Sequence, residues 1–265
     1  RPRDGWPGTE PLAETARGER RGLLTVLAIL GFIILCALGT WQVQRLGWKT
    51  DLIETVNTRT QLPPEPAPGP SEWPAINLAD IDYLPVTVAG TYDNAHEVAV
   101  YEALTEPKGP LGGQGYFILT PLETADGWFV IVNRGFVPEE NKDPATRLAG
   151  QIEGPTEVTG LLRRAQGRNW FTPANDIEGN MWFTRDPEAI GEALGIPADR
   201  LAPYYIDAFY DPDLPGGMPQ GGETAVSFPN NHLQYIITWY GLAVVLAVMY
   251  VLRMRRPRKK DGEAS

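Results

Sequence analysis

A single cysteine and two histidines in 265 residues exclude a good deal of chemistry at once. One Cys cannot close a disulfide within the chain, and no CxxC pair, Cys-rich zinc cluster or thiolate copper site can be assembled from it. Copper delivery through paired thiolates is therefore excluded. Cys36 sits inside an apolar run and reads as a small hydrophobic residue rather than a reactive thiol. Any Ser-His or Cys-His catalysis has only His96 and His232 to draw on. His96 lies between a GTYD turn and a strand pattern, where a surface histidine is the commoner case. The chain has no GxSxG, HExxH or DxDxDG calcium loop. GPLGGQGY lacks the GK[ST] ending of a phosphate loop and opens no helix, so it reads as a hairpin loop.

Positive charge is also scarce. Between residues 46 and 230, 27 Asp and Glu stand against 11 Lys and Arg, a net of −16. Nucleic acid, whose phosphates demand a basic face, is excluded as a partner. Solvation is the commoner reading of this acidic surface and steering of a basic partner protein the alternative; the neighbours Asp80 and Asp82 and the pair Glu139 and Glu140 receive no acid–base role. Arg163, Arg164 and Arg168 make one basic knot, readable as an anion or partner contact or as a surface ion-pair network.

Two long runs lack charge altogether. Gly22 to Gln42 and Leu233 to Leu252 each approach the roughly 20 residues that carry an α-helix across a bilayer core. Arg17, Arg20 and Arg21 precede the first; Arg253, Arg255, Arg256, Arg258, Lys259 and Lys260 follow the second. Basic flanks mark the cytoplasmic side, so the expected topology is a hairpin anchor with both termini cytoplasmic and the intervening domain outside. A cleaved signal peptide is the competing reading of the first run, against its length. An acid-rich N-terminus argues against a mitochondrial transit peptide, and the expected location is a bacterial inner membrane.

The predicted order is a cytoplasmic tail (1–21) with the composition of a disordered segment, a first span (22–42), a helical extension and proline-rich linker (43–82), a β-rich domain (83–212), a returning loop (213–231), a second span (232–252) and a basic tail (253–265). LPPEPAPGPSEW breaks the helical extension. LPVTVAG, EVAVYEA, GYFILTPLE, GWFVIVNRGFVP, TEVTGLLRR, NMWFTRD and PYYIDAFYD read as strands, with Asp126-Gly127 turning a hairpin and one short helix at Pro187 to Leu194. The fold class is α+β, a membrane protein: two transmembrane helices flank a mostly antiparallel β domain, a sandwich or small barrel with a short helix. GRNWFTPANDIEGN and DPDLPGGMPQGGETAVSFPN read as long irregular segments, the second either mobile or docked.

The candidate site lies where FPNNHLQYIITWY enters the second span. Asn230 and Asn231 can cap the helix after Pro229. His232, Tyr235 and Trp239 fall at i, i+3 and i+7, putting an imidazole, a phenol and an indole on one helix face. Two readings stand: an axial iron ligand with rings to flank a flat cofactor, or an interfacial aromatic belt with a polar residue at the helix end. Trp41, Arg45 and Trp48 continue the first helix outward, placing Arg45 and Lys49 at the outer surface.

LGTWQVQRLGWK leaving the first span, GTYD at Gly90 to Asp93, TPL at Thr120 to Leu122, NRGFVP at Asn133 to Pro138 and NNHLQYIITWYGLA entering the second together resemble the Surfeit locus protein 1 family, assembly factors of cytochrome c oxidase. The resemblance spans Leu38 to Ala243, with Phe136 where the family commonly has Trp. It implies a non-enzymatic, two-span protein that helps deliver or insert heme a into oxidase subunit I, with heme A synthase a further possible partner besides membrane lipid. It implies His232 as the heme-associated histidine; on geometry alone, His232 could then ligate the iron, Tyr235 and Trp239 flank the ring, and Arg45 or Lys49 pair the propionates. A scaffold that binds no heme, contacting partners through NRGFVP and the long loops, is the alternative; an extracytoplasmic sensor module is a weaker one.

Overall fold

The computed structural model describes residues 10–224 and 231–255, which divide into two compact units, one built from both ends of the chain and one from residues 54–226. The helix α1 (Glu10–Arg59) is continuous and belongs to the first unit as far as Ile53. It begins upstream of Gly22, so the tail segment read as disordered is helical from Glu10, through Leu, Ala, Glu and Arg residues that favour helix. The other helix, α4 (His232–Arg255), starts at the residue expected. Asn231 supplies the carbonyl that accepts from the Tyr235 N–H; the proposed capping role of Asn230 lies outside the described residues. The stretch from Gly22 and all of α4 are long and apolar enough to cross a membrane.

The two helices pair along small and hydroxylated positions. Gly39 lies against the Tyr240 ring, where a Cβ would come within 2.9 Å of the ring carbons, and Gly31 lies against Leu246. Thr40 Oγ1 and Tyr240 OH are 3.0 Å apart, and Thr25 Oγ1 and Tyr250 OH 2.9 Å. Such close approach and hydroxyl pairing hold helices together where lipid removes the hydrophobic drive between them.

The second unit carries the sheet. Its strands are β1 (Glu65–Pro66), β2 (Pro85–Tyr92), β3 (Val98–Leu104), β4 (Gly113–Glu123), β5 (Phe129–Pro138), β6 (Pro155–Arg164) and β7 (Leu201–Ala208). The order β2-β6-β7-β5-β4 returns to β2 through the pairs Thr91↔Glu123 and Tyr92↔Leu122. Five strands thus close a barrel, with β1 and β3 added outside it, which decides between sandwich and barrel. Gly90 makes the closure possible, because a Cβ there would lie 2.5 Å from the Glu123 carbonyl oxygen. Pairing is antiparallel except for β5 with β7 and β1 with β2.

All five barrel strands feed one core: Val86 and Val88, Leu122, Val130 and Val132, Val158 and Leu162, Tyr204 and Ile206. The opposite faces of β4, β5 and β7 are covered as well. Phe117, Leu119, Ile131, Phe136, Leu201 and Tyr205 pack with Trp182 and with Ile190 of α3 (Pro187–Leu194). That double burial explains why β4 and β5 read as continuous apolar runs rather than alternating ones. The helix α3 forms where expected: Asp186 accepts from the Glu188 N–H, Pro187 takes the first turn, and Gly195 ends it at φ 70°.

NMWFTRD is not a strand. Trp182 exchanges two backbone hydrogen bonds with β3, through Tyr101 N–H and the Ala99 carbonyl, and its neighbours make only isolated bridges. The large indole is buried at 2% exposure, so packing rather than a ladder fixes the segment. The proline-rich stretch is bound to the barrel: β1 pairs with β2, and the Pro68 carbonyl accepts from Tyr204 OH at 2.6 Å and Trp73 Nε1 at 2.9 Å. The returning segment docks too. Gln220 exchanges bonds with Leu111 of the GPLGGQGY loop, and the Glu223 carboxylate accepts from the Lys108 and Gly109 N–H groups; residues beyond Thr224 lie outside the described residues until Asn231.

Candidate functional site

The side chain at the head of α4 has a partner that spacing along one helix cannot show. His232 Nδ1 lies 2.7 Å from Oε1 of Gln42 on α1, and Gln42 is buried at 8% exposure. An amide oxygen only accepts, so Nδ1 carries the hydrogen between them, and in the neutral tautomer this selects, Nε2 is the nitrogen with the lone pair. A histidine held this way is oriented as metal-ligating histidines are, with the distal nitrogen donating to a fixed acceptor. Gln42 stands inside WQVQRLGWK, but no pattern in the sequence links it to a residue near the other end of the chain.

Of the residues expected beside His232, Trp239 shares its half-buried face, whereas Tyr235 is 51% exposed. The steps account for this: at about 100° per residue, i+7 falls about 20° from the starting direction and i+3 about 60°. Trp239 Nε1 is buried with no hydrogen-bond partner, an arrangement that is costly unless an acceptor is supplied. Arg45, one turn beyond Gln42 on α1, is exposed with its guanidinium 4.9 Å from the centre of the Trp48 ring. Lys49 follows a further turn along and is partly buried. The residue types suit a porphyrin-type group: an imidazole engaged through Nδ1 alone, and an exposed cation for carboxylates.

The barrel motifs serve the barrel. Opposite Ile118 and Leu119, β5 carries a bulge that leaves Arg134 as the extra residue. Asn133 donates from Nδ2 to Asp207 Oδ1 at 2.7 Å; Gly135, at φ 128°, lies against the Gln220 backbone. The Arg134 guanidinium donates to the Gly150 carbonyl, Asn94 and Gln151, and stacks 4.5 Å from the Tyr92 ring centre. Burial pushes the Tyr92 phenol up to about 12 although Arg134 opposes the shift. Asn133, Arg134, Phe136 and Val137 are all buried, so NRGFVP is not a contact surface.

The basic knot divides. Arg163 is buried, donating to Asp82 at 3.1 Å, Asp207 at 2.9 Å and Tyr83 OH at 3.1 Å; Arg164 reaches Asp82 from the surface at 3.3 Å, and Arg168 is exposed. His96 is exposed and pairs with Asp93 at 2.7 Å.

Fold and site together define a membrane protein in which a closed, acidic β barrel is joined to two apolar helices, and His232, hydrogen-bonded to Gln42, belongs to the helices. Comparison with known proteins narrows this class. A family model described as the SURF1 family matches residues 29–244. Surfeit locus protein 1 of Gallus gallus is 37% identical over 255 residues, covering 92% of this chain and 79% of the relative. The Homo sapiens protein of that name is 35% identical over 255 residues, covering 92% and 82%, and that of Takifugu rubripes 38% over 225 residues, covering 80% and 89%. The chain belongs to the SURF1 family, known as cytochrome c oxidase assembly factors.

Proposed function

We propose that the protein is a non-catalytic carrier that holds heme a at the outer surface of a bacterial inner membrane and passes it to subunit I of cytochrome c oxidase, with heme A synthase as a candidate donor. Both termini lie in the cytoplasm and the barrel in the periplasm on this reading. The observation that carries it is the Gln42–His232 hydrogen bond, which leaves Nε2 open at the head of an apolar helix. Heme supplies an iron that accepts an imidazole nitrogen, an apolar ring and two carboxylates.

His232 would hold the iron through Nε2 while Gln42 fixes the ring and its tautomer. Tyr235 and Trp239 would offer aromatic faces, and Arg45 or Lys49 would pair the carboxylates. Release is part of a carrier's task, and one protein ligand keeps retention weak enough to allow it.

The test is the reduced-minus-oxidised absorbance of the detergent-purified protein from cells that make heme a, beside His232→Ala. A heme a band present in the parent and lost in the variant is expected. Colourless protein in both, copurifying with oxidase subunits, would establish the scaffold instead.

A further inference from the structure

Trp170 and Phe171 are 93% and 88% exposed, the highest values of any large hydrophobic side chains among the described residues. Single exposed apolar residues are ordinary; two adjacent aromatics held in water are not. They are presented by a built turn. Asn169 N–H donates to Thr172 Oγ1 at 3.0 Å, Phe171 N–H to Asn169 Oδ1 at 2.9 Å, and Thr172 N–H to the Asn169 carbonyl at 3.1 Å. The tip therefore satisfies much of its own backbone, the condition for entering an apolar medium.

Charge distinguishes the tip from its domain. From Ala165 to Asn175 there is no Asp or Glu, and Arg168 stands exposed, its Nη2 donating to the Thr172 carbonyl at 3.4 Å. Residues 46–230 as a whole are net −16, so most of the domain is repelled by anionic headgroups where this tip is not.

We propose that residues 168–172 dock into the surface of the bilayer that anchors the chain, with Trp170 and Phe171 at the boundary between headgroups and acyl chains and Arg168 on a lipid phosphate. Trp and Phe beside a cation is the composition of interfacial anchors. The domain continues at both ends into apolar helices, and a contact made within such a tether can be weak. Neither aromatic belongs to the barrel core, so replacing them leaves the fold intact.

The full chain, with Cys36→Ala, is labelled with a nitroxide at Phe171→Cys and placed in nanodiscs of phosphatidylcholine and phosphatidylglycerol; Glu106→Cys provides an exposed reference. Collision with oxygen relative to a water-soluble nickel chelate is expected to be several-fold higher at 171 than at 106, and to fall to the reference level when Trp170→Ser is added. A label at 171 as open to nickel as the reference overturns the proposal. So does protection that appears only when oxidase subunits are supplied, which would assign the tip to a protein partner.

Discussion

The imidazole of His232 gains its direction from one hydrogen bond, and on the proposed heme reading its strength as a ligand would depend on what that bond does to Nε2. A buried acceptor on Nδ1–H fixes the tautomer and raises the basicity of the other nitrogen; loss of such a partner typically weakens metal binding roughly 10–100-fold. Gln42→Ala is therefore expected to retain heme a that much more weakly than the parent, with a reduced rather than abolished band, whereas His232→Ala abolishes it. Titration of heme a into detergent-purified apoprotein measures both, and equal affinity for Gln42→Ala and parent would remove Gln42 from the site. At this scale the sequence singled out His232 as a candidate by its place at the head of an apolar run and Trp239 by its spacing, and both side chains are half-buried. It did not reveal Gln42, because a contact between residues 42 and 232 leaves no periodic trace, and the i+3 step leaves Tyr235 exposed.

The proline-rich stretch illustrates what composition leaves undetermined at the scale of elements. Prolines predict extended backbone but not what it lies on, and here the Pro68 carbonyl is clasped by Tyr204 and Trp73. Burial raises the Tyr204 phenol well above its usual value, a hydrogen bond involving Trp73 opposing the shift and Glu72 adding to it. The folded form thus holds the proton more tightly than the unfolded chain, whose tyrosines titrate near 10. The stability this gives is complete below about pH 10 and declines as pH climbs beyond, by about 1.4 kcal/mol per pH unit for the one group. Tyr204→Phe should cost about 1 kcal/mol at neutral pH by removing the bond to Pro68 and should flatten the alkaline limb of stability against pH. Denaturant titrations from pH 8 to 11 read both, and parallel alkaline slopes in the two proteins would count against the assignment. The hairpin of β4 and β5 and the helix α3 were legible because turn and cap residues sit at fixed offsets. Closure through β2 and β4 was not: it rests on two residue pairs and one glycine, and GTYD as a string does not say that Gly90 meets another strand.

At the scale of the whole molecule, the candidate ligands and the barrel's stabilising network fall in different units. His232, Gln42, Trp239 and Arg45 all belong to the helical unit, while Asp207, Arg163, Asp82 and Asn133 join β5, β6 and β7 within the other. Asp207 accepts from Asn133, Arg163 and Thr224 at once. Asp207→Ala removes one of two carboxylates from a buried guanidinium, a change that typically costs about 3–5 kcal/mol. If heme retention resides in the helices, the two lesions should separate. Asp207→Ala is expected to lower the thermal transition of the barrel, followed by near-ultraviolet circular dichroism, while a heme a band remains at low temperature. His232→Ala is expected to leave that transition in place and lose the band. A band absent from Asp207→Ala at temperatures where its barrel is still folded would show that the helical unit does not hold heme alone, and would shift the search for ligands to the barrel.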